Sequence, residues 1–337
     1  MSKQITPRPR RYSKLTGLGV YRPEIVIDNA EVCTWIESSD EWIRERSGIV
    51  ERRFAPAEVG IVEMSVEAAK LAVADAGLSL ADIDNVIVAT LSHYYQTPSA
   101  AALVAAALGL KKPGAIDVNA ACAGFSYAIG LADGAVSTGN SEHTLVIGVE
   151  KLSDWVDRHD RGTSFLFADG AGAVVVSASE TPEIGPTVWG SDGDSWDAIV
   201  CLPSWLDLRG PERNHAEGEF PALRMQGQKV FRWAVGDMPS VAQAALDAAG
   251  ITAADLDLFV PHQANMRITD AMLRALKLPE SVAVARDIEF SGNTSAASIP
   301  LALDRLRGEG VAKSGDLALL IGFGAGLAFA AQVVRVP

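Results

Sequence analysis

Two stretches of the sequence, AKLAVADAGLSLADIDNVIV at residues 69–88 and AQAALDAAGITAADLDLFVP at residues 242–261, repeat one another at an offset of 173 residues. Seven of the twenty aligned positions are identical, including Gly77 and Gly250. Each copy predicts an amphipathic helix that ends at the glycine, then a turn and an apolar strand. Ala-rich helices resemble one another by chance, but the shared turn residues favour a duplication. Because the offset is close to half of the 337 residues, the repeat predicts two similar halves.

The alternation of strands and helices continues through both halves. Continuous apolar runs predict further strands at 115–119, 144–149, 172–177, 282–286, 317–321 and 330–335. Helices are predicted near 98–108, 123–137, 264–277 and 295–307. Such runs indicate strands covered on both faces, and the alternation predicts an α/β fold with mostly parallel sheets. Two sheets that share helices would form an α-β-α-β-α stack. Residues 178–227 are less regular, and the polar stretch 205–219 predicts a surface loop.

Composition and charge restrict the function classes. Hydrophobic residues make up 48% of the chain and charged residues 21%, which is the balance of a soluble globular protein. With 29 Lys and Arg against 42 Asp and Glu, the net charge is −13, so nucleic acid is disfavoured as a partner. An acidic partner would need a local basic patch. The sequence has no 18-residue apolar run, so no membrane span is predicted.

The cysteines and the N-terminal segment indicate the cellular compartment of the protein. Three cysteines are too few for a disulfide framework, and they form no pair with metal-ligand spacing, so we expect a cytoplasmic protein without a metal. Residues 1–12 are basic and Pro-rich but lack the apolar core of a secretory signal. We predict a flexible tail there, with a short transit or docking arm as the alternative. We divide the rest into an N-terminal half, 13–184, and a C-terminal half, 185–337.

Cys122 is a candidate nucleophile. It follows a predicted strand, at the start of a helix, where the helix dipole favours the thiolate and lowers a thiol pKa. Small neighbours in AACAG leave room around the sulfur. From this segment alone, a buried and inert cysteine is an equally good interpretation.

Three further segments lie at predicted strand ends, where ligands gather in parallel sheets. His262 closes a strand in PHQAN, and Asn293 opens a helix in GNTSAAS. Taken singly, His262 is more typical of a structural histidine, and Asn293 is also typical of a helix N-cap. The turn Gly322–Gly326 lacks the spacing of a dinucleotide site and favours backbone amides aimed at a developing negative charge. Ser126 resembles the nucleophile of serine hydrolases, but its motif lacks the second glycine.

Together these segments resemble one family. Cys122 in AACAGF, His262 in PHQAN, Asn293 in GNTSAAS and the FGAG turn are similar to β-ketoacyl-[acyl-carrier-protein] synthase III. Additional matches are TGLGVYRP at 16–23, SDEWI at 39–43, RSGI at 46–49, DRGT at 160–163 and FADGAGA at 167–173. The resemblance implies a thiolase-like fold of five layers and a homodimer. It also implies an acyltransferase that condenses an acyl-CoA starter with malonyl-acyl-carrier protein to initiate fatty acid synthesis.

The resemblance carries roles to matching positions. Cys122 would accept the acyl group, and His262 and Asn293 would hold the malonyl thioester carbonyl during decarboxylation. The oxyanion hole would use the backbone amides of Cys122 and Ala325. No metal or redox cofactor is implied. Ala325 replaces the middle glycine of the family's GGG turn, which raises the question of its backbone conformation.

Substrate contacts follow from the same matches. Trp42 and Arg161 would sandwich the adenine of coenzyme A. Arg46 would lie near its phosphates, and Asn265 along the pantetheine arm. Gln228 stands where some members carry Asn, so the role of Gln228 is left open.

A basic surface and a pocket residue complete the expectations. Arg267 and Arg274 share one face of the helix after His262, and with Arg232 they would dock the acidic carrier protein. The alternative is a solvated helix face. Thr97 stands where some members carry Phe, at a position that projects into the partner subunit's acyl pocket. A paralogue that primes a polyketide, or one that transfers the acyl group to an alcohol, remains an alternative.

Overall fold

The structure is a computed structural model that describes residues 10–209 and 220–337. Its strands are β1 (Tyr12–Tyr21), β2 (Ile25–Asp28), β3 (Glu51–Phe54), β4 (Asn85–Ala89), β5 (Gly114–Val118), β6 (His143–Lys151), β7 (Asp169–Ser179), β8 (Val188–Ser191), β9 (Ile199–Leu202), β10 (Ala222–Met225), β11 (Leu258–Pro261), β12 (Ala283–Val284), β13 (Leu317–Gly324) and β14 (Ala328–Arg335). Its α-helices are α1 (Asn29–Trp35), α2 (Asp40–Ser47), α3 (Ile61–Asp75), α4 (Ala100–Ala107), α5 (Gly124–Ser137), α6 (Gly227–Ala249), α7 (Met266–Leu276), α8 (Ile288–Ser291) and α9 (Ser298–Gly308).

Two five-stranded sheets form the body, and their pairing patterns match. The first has the order β1-β7-β6-β4-β5, and the second has the order β12-β11-β13-β14-β8. In the first sheet β4 pairs in parallel with β5 and β6, whereas β7 pairs antiparallel with β6 and β1. In the second, β11 pairs in parallel with β12 and β13, whereas β14 pairs antiparallel with β13 and β8.

The prediction of mostly parallel sheets is therefore wrong, because half of the pairings in each sheet are antiparallel. The chain returns from β13 to β14 through the short turn Ala325–Leu327, with no crossover helix. Antiparallel neighbours accept such short connections, whereas parallel neighbours need a long one. The strand β8 lies within the stretch that the sequence left irregular.

Five layers arise because α5 and α9 are buried between the sheets. Ile129 of α5 and Ile299 of α9 share one apolar cluster with Val146 of the first sheet and Leu320 of the second. The helices α3 and α4 cover the outer face of the first sheet, and α6 and α7 cover the outer face of the second. The α-β-α-β-α stack predicted from the sequence is confirmed.

The repeated stretches occupy equivalent places in the two sheets. The helix of each repeat is followed by a glycine in the left-handed region, Gly77 with φ +69° and Gly250 with φ +71°. Each glycine precedes a one-turn helix whose last residue, Asp82 or Asp255, accepts the backbone amide of the N-cap, and then a parallel strand, β4 or β11. The boundary drawn at residues 184 and 185 stays a prediction.

Three details differ from the expectations. Ile116 on β5 is 52% exposed because β5 forms the edge of its sheet, so that strand is not covered on both faces. Tyr12, which we assigned to the flexible tail, pairs with Ser179 in β1, and Arg11 forms an ion pair with Glu142 at 2.5 Å. Residues 1–9 of the predicted tail and 210–219 of the predicted loop lie outside the described residues.

Candidate active site

The strand-end segments line one cavity. It has a volume of about 510 Å³ and is lined by Cys122, His262, Asn293, Gly324 and Ala325, among others. The structure therefore brings together the residues that the sequence predicted for acyl transfer. All three side chains that would do the chemistry are buried, with exposures of 8% for Cys122, 2% for His262 and 5% for Asn293.

Cys122 lies in a single 3₁₀ turn, Ala121–Ala123, immediately before α5. The backbone of β13 crosses very close to it at Gly324. A Cβ atom at residue 324 would stand 2.8 Å from Cys122 Cβ, 3.0 Å from its amide nitrogen and 3.1 Å from its sulfur. Such contacts exclude any side chain, so a glycine at 324 is what allows the terminal turn to approach the thiol.

The acidity of the Cys122 thiol is opposite to the sequence prediction. Burial raises the pKa of Cys122 to about 12, and the negative charge of Glu150 acts in the same direction. The Ser295 hydroxyl and the backbone amide of Cys122 lower the pKa, but by less. The prediction of a lowered thiol pKa is wrong because desolvation of the thiolate outweighs the helix N-terminus. The raised pKa keeps the Cys122 side chain a thiol near neutral pH.

His262 follows β11 and is fixed by α9. Burial lowers the pKa of His262 to about 3, so the imidazole is neutral. Its Nδ1 lies 2.7 Å from Ser298 Oγ, and that oxygen accepts the Gln263 amide at 3.3 Å. The hydroxyl hydrogen of Ser298 is then available to Nδ1, which leaves the imidazole hydrogen on Nε2. His262 is therefore suited to donate one hydrogen bond and not to carry a positive charge.

Asn293 follows α8, and its backbone and side-chain hydrogen bonds fix its orientation. Its backbone amide donates to Leu166 at 2.8 Å, and its carbonyl accepts from Ala168 at 2.9 Å. The side-chain Oδ1 accepts the backbone amide of Ser295 at 2.9 Å. This bond uses the amide's oxygen, so the remaining NH₂ group is a donor. Two uncharged donors, on His262 and Asn293, thus line the cavity that contains Cys122.

The terminal turn presents a backbone amide without strain at Ala325. Gly326 adopts φ +131°, whereas Ala325 is not in the left-handed region. The alanine in the FGAG turn is therefore compatible with the local backbone. Ala325 lines the cavity beside Cys122, as the predicted oxyanion hole requires.

The cavity mouth contains the residues predicted for coenzyme A. The guanidinium carbon of Arg161 lies 5.1 Å from the Trp42 ring centroid, and that of Arg46 lies 5.7 Å from it. An aromatic base between Trp42 and Arg161 would need two stacking contacts, or about 7 Å. A sandwich around adenine therefore requires the exposed Arg161 side chain to move outward.

Asn265 and Gln228 also line the cavity, with different surroundings. Asn265 caps α7, because its Oδ1 accepts the Arg267 amide at 2.9 Å while its Nδ2 donates to the Arg46 carbonyl at 2.8 Å. These bonds tie α7 to α2 at the mouth. Gln228 is exposed in the first turn of α6.

The three arginines of the predicted docking patch are exposed on α6 and α7. Arg267 and Arg232 line the cavity mouth, whereas Arg274 lies farther along α7. The Arg267 guanidinium packs over the ring of Phe231 at 5.1 Å, which joins the two helices. Asp270, the acidic residue in this stripe, is neutralised by Arg286 at 2.8 Å.

Thr97 is exposed and does not line the cavity of its own chain. A second, more open cavity is lined by Ala121, Tyr127, Trp196 and Ile199, among others. Its walls are mostly apolar. The prediction that Thr97 limits the acyl pocket of a partner subunit is not tested by one chain.

Sequence reasoning missed three residues around the site. Ser295 and Ser298 lie within the segment GNTSAAS but were given no role, and Glu150 was not considered. Glu150 closes the apolar run TLVIGVE and is fully buried. The sequence signal for Glu150 was available: it is a carboxylate in an otherwise apolar strand.

Other chemistries find less support in the described residues. Ser126 Oγ is buried and has no hydrogen-bond partner within 10–209 and 220–337, so no base activates it. Within the same ranges, no three His, Cys, Asp or Glu side chains are grouped to hold a metal ion. Nor does the described part of the chain contain a helix long and apolar enough to cross a membrane.

Comparisons with known proteins agree with this site. The family model described as 3-oxoacyl-[acyl-carrier-protein (ACP)] synthase III matches residues 116–193, and the model of its C-terminal part matches 246–336. A β-ketoacyl-[acyl-carrier-protein] synthase III of Streptomyces glaucescens is 54% identical, with 100% of both chains covered. A mycobacterial synthase III of Mycobacterium bovis is 50% identical over 100% of this chain and 99% of its own.

Solved structures give the same result. The priming β-ketosynthase of the R1128 polyketide pathway superposes with a TM-score of 0.95 at 45% identity, with 99% of each chain covered. The synthase III of Pseudomonas aeruginosa has a TM-score of 0.87 at 37% identity, covering 97% of this chain and 99% of its own. The fold and the Cys-His-Asn site thus define a condensing acyltransferase of the thiolase fold. Within that class, the chain belongs to the β-ketoacyl-[acyl-carrier-protein] synthase III family.

Proposed function

We propose that this enzyme joins an acyl-CoA starter to malonyl-acyl-carrier protein through an acyl-Cys122 intermediate and so initiates fatty acid synthesis. The observation that carries the proposal is the convergence of two neutral donors, His262 and Asn293, on the cavity of a buried thiol. A thiol alone suits many acyl transfers. The added pair of donors suits an enolate.

In the first step, Cys122 attacks the acyl thioester and coenzyme A leaves. The negative charge on the carbonyl oxygen would be stabilised by the backbone amides of Cys122 and Ala325. Gly324 supports this geometry, because its lack of a side chain lets the turn reach the thiol. Cys122 is buried, and burial strengthens each of these hydrogen bonds.

In the second step, loss of CO₂ from the malonyl group leaves an enolate, which attacks the acyl-Cys122 carbon. His262 Nε2 and the Asn293 NH₂ group would hold the enolate oxygen. A neutral His262 donates a hydrogen bond without giving up a proton, so the enolate stays reactive. One well-placed donor of this kind contributes roughly 10²–10³ in rate. This chemistry uses groups of the protein itself, and we propose that no cofactor takes part.

The cavity mouth suits both substrates. We propose that Trp42 and Arg161 bind the adenine, Arg46 the phosphates and Asn265 the pantetheine arm of coenzyme A. For the carrier protein, we propose a docking surface at Arg232, Arg267 and Arg274. These arginines have no carboxylate within ion-pair distance in the described part of the chain, so their charges are available to an acidic partner.

We propose a homodimer, supported by the exposed edge strand β5. Ile116 at this edge is 52% exposed, and Tyr95 in the segment that leads to Thr97 is 64% exposed. An open strand edge with apolar side chains favours pairing with a second chain. Thr97 would then limit the depth of the partner's acyl pocket. We further propose a cytoplasmic location, since the three cysteines are unpaired.

The test separates the two steps. His262→Ala and Asn293→Ala should lose condensation by roughly 10²–10³ while Cys122 is still acylated. His143→Ala is a matched control, because His143 begins β6 while the site lies beyond the end of that strand. Acylation is measured by intact mass after acyl-CoA addition, and condensation by product formation with malonyl-carrier protein. If either site variant condenses at the wild-type rate, the enolate role is wrong.

A further inference from the structure

Glu150 is a buried carboxyl group that the reaction described above does not use. It has no exposed surface at the end of β6. Its carboxylate accepts hydrogen bonds from Ser92 Oγ at 2.6 Å, the Leu91 amide at 3.2 Å and Thr90 Oγ1 at 3.3 Å. Lys151, the next residue, instead donates to backbone carbonyls around residues 56–59. In the described part of the chain, no Lys, Arg or His forms an ion pair with Glu150.

Ser295 connects this carboxylate with Cys122. Its hydroxyl donates to Glu150 Oε1 at 3.1 Å. Ser295 also lines the same cavity as Cys122, and its hydroxyl lowers the pKa of the Cys122 thiol. The backbone of Ser295 is held by Asn293 in the left-handed region, with φ +48°. A non-glycine residue in this region carries strain, and such strain concentrates at functional sites.

A serine hydroxyl has one hydrogen, which can point in one of two directions. When Cys122 is a thiol and Glu150 a carboxylate, the hydroxyl donates to Glu150 and can accept from the thiol. When the proton has moved, the hydroxyl donates to the thiolate and accepts from the carboxylic acid. Ser295 thus suits both ends of a proton transfer.

We propose that Ser295 and Glu150 form a proton path that takes the Cys122 proton during acylation and returns it when the thiol is released. The path rests on the proposed role of Cys122 as the acyl acceptor. In this proposal Glu150 acts on Cys122 through Ser295 and does not contact the substrate.

The atoms balance over the cycle. During acylation the Cys122 S–H bond breaks, its proton passes to Ser295 Oγ, and the Ser295 hydrogen passes to Glu150. The sulfur forms its bond to the acyl carbon, and the coenzyme A thiolate leaves and takes a proton from solvent. During condensation the new C–C bond forms and the acyl–sulfur bond breaks. The sulfur then recovers its proton along the same path, and Glu150 returns to a carboxylate.

Charge conservation favours this arrangement. The thiol and carboxylate together carry one negative charge before the transfer and one after it. Ionising Cys122 to solvent would instead place two anions side by side in a buried site. Burial raises the pKa of Glu150 to about 7, so the carboxyl both accepts and donates a proton near neutral pH. Burial, and to a smaller extent the charge of Glu150, also raise the pKa of Cys201.

Alkylation of Cys122 by iodoacetamide, followed from pH 5 to 10, tests the path without any carrier protein. The wild-type rate should rise to a step near pH 7, as Glu150 becomes a base, and then increase further toward pH 10 as the small thiolate fraction of Cys122 grows. Glu150→Gln and Ser295→Ala should lose the lower rise and react about 10²-fold more slowly at pH 8. A wild-type rate that increases about tenfold per pH unit throughout, with no step near pH 7, would overturn the proposal.

The direction of the Glu150→Gln effect separates the path from simple charge repulsion. If Glu150 acts only as a nearby anion, its removal lowers the thiol pKa and speeds alkylation, and Ser295→Ala changes little. Either result would refute the path. Ser92→Ala is the matched control, because it removes a hydrogen bond to the other oxygen of the same carboxylate, Oε2, whereas Ser295 contacts Oε1. The lower rise should persist in that variant and move to higher pH.

Two checks keep the test independent of folding and of the proposed function. Circular dichroism and the melting temperature show whether each variant is folded. If Glu150→Gln does not fold, the pH profile of the wild-type enzyme still tests the path. Intact mass after acyl-CoA addition reports separately whether Cys122 accepts an acyl group. Acylation of Cys122 without a lower rise would refute the path alone. A lower rise without acylation would refute only the proposed function.

Discussion

Replacing Gly324 with alanine should disable acylation, because residue 324 has no room for a methyl group. The added Cβ would stand 2.8 Å from Cys122 Cβ, 3.0 Å from its amide nitrogen and 3.1 Å from Sγ. Comfortable carbon contacts are about 3.5–4.0 Å, so the β13–β14 turn or Cys122 must shift by roughly half an ångström or more. Overpacking of this kind costs about 1–3 kcal/mol in the free energy of unfolding. The same shift moves the Ala325 amide away from the thioester oxygen, which should slow acylation by roughly 10²–10³.

The assay is the rate of acyl transfer to Cys122, followed by rapid quench and intact mass, beside urea unfolding. Gly134→Ala is the matched control, because a Cβ at residue 134 of α5 meets no atom within 4 Å. An alanine inside a helix is favoured over glycine by about 1 kcal/mol, so this variant should be more stable and acylate normally. A Gly324→Ala enzyme that acylates within twofold of the wild-type rate would refute the close approach of the turn to the thiol.

Three further outcomes follow from the surface, the acyl pocket and the buried histidine. Charge reversal at Arg267 and Arg274 should raise KM for malonyl-carrier protein but not for acyl-CoA, and reduce the salt dependence; equal effects on both substrates would argue against a docking surface. Because Thr97 is small, the enzyme should accept starters longer or more branched than acetyl, and each added CH₂ should contribute about 0.8 kcal/mol to binding. Thr97→Phe should lower kcat/KM for the longer starters and leave acetyl-CoA as the preferred substrate; an unchanged profile would contradict this. Burial lowers the pKa of His262 from 6.5 to about 3, so the unfolded chain takes up a proton below pH 6.5 that the folded protein does not. The free energy of unfolding should therefore be about 1.4 kcal/mol lower at pH 5.5 than well above pH 6.5. His262→Asn should lack this loss in pH-dependent urea unfolding, and an equal loss would assign it to other groups.

The repeat and the strand-end segments could be predicted because they depend on local sequence. Gly77 and Gly250 mark helix ends through their backbone conformation, and the apolar runs mark strands. The direction of β7 and β14 could not be predicted in the same way, because apolar runs do not reveal pairing. The exposure of Ile116 likewise depends on which strand lies at the edge of the sheet.

The identity of the site residues was predictable, whereas their protonation was not. Cys122, His262 and Asn293 stand in short motifs that the sequence displays. The high pKa of Cys122 and the low pKa of His262 arise from burial among distant segments, which only the packed structure defines. Glu150 reaches Ser295 across 145 residues of sequence, so that contact has no local signal.

The central claim, that Cys122 carries the acyl group between the two steps, is tested most directly by mass spectrometry of one sample after each of two additions. After butyryl-CoA is added, the peptide that contains Cys122 should gain one butyryl group. After malonyl-carrier protein is added, that group should leave the peptide and appear in the β-ketoacyl-carrier product. An adduct on Ser126, a Cys122→Ala variant that still retains an acyl group, or an acyl-Cys122 that persists while product forms would contradict the account.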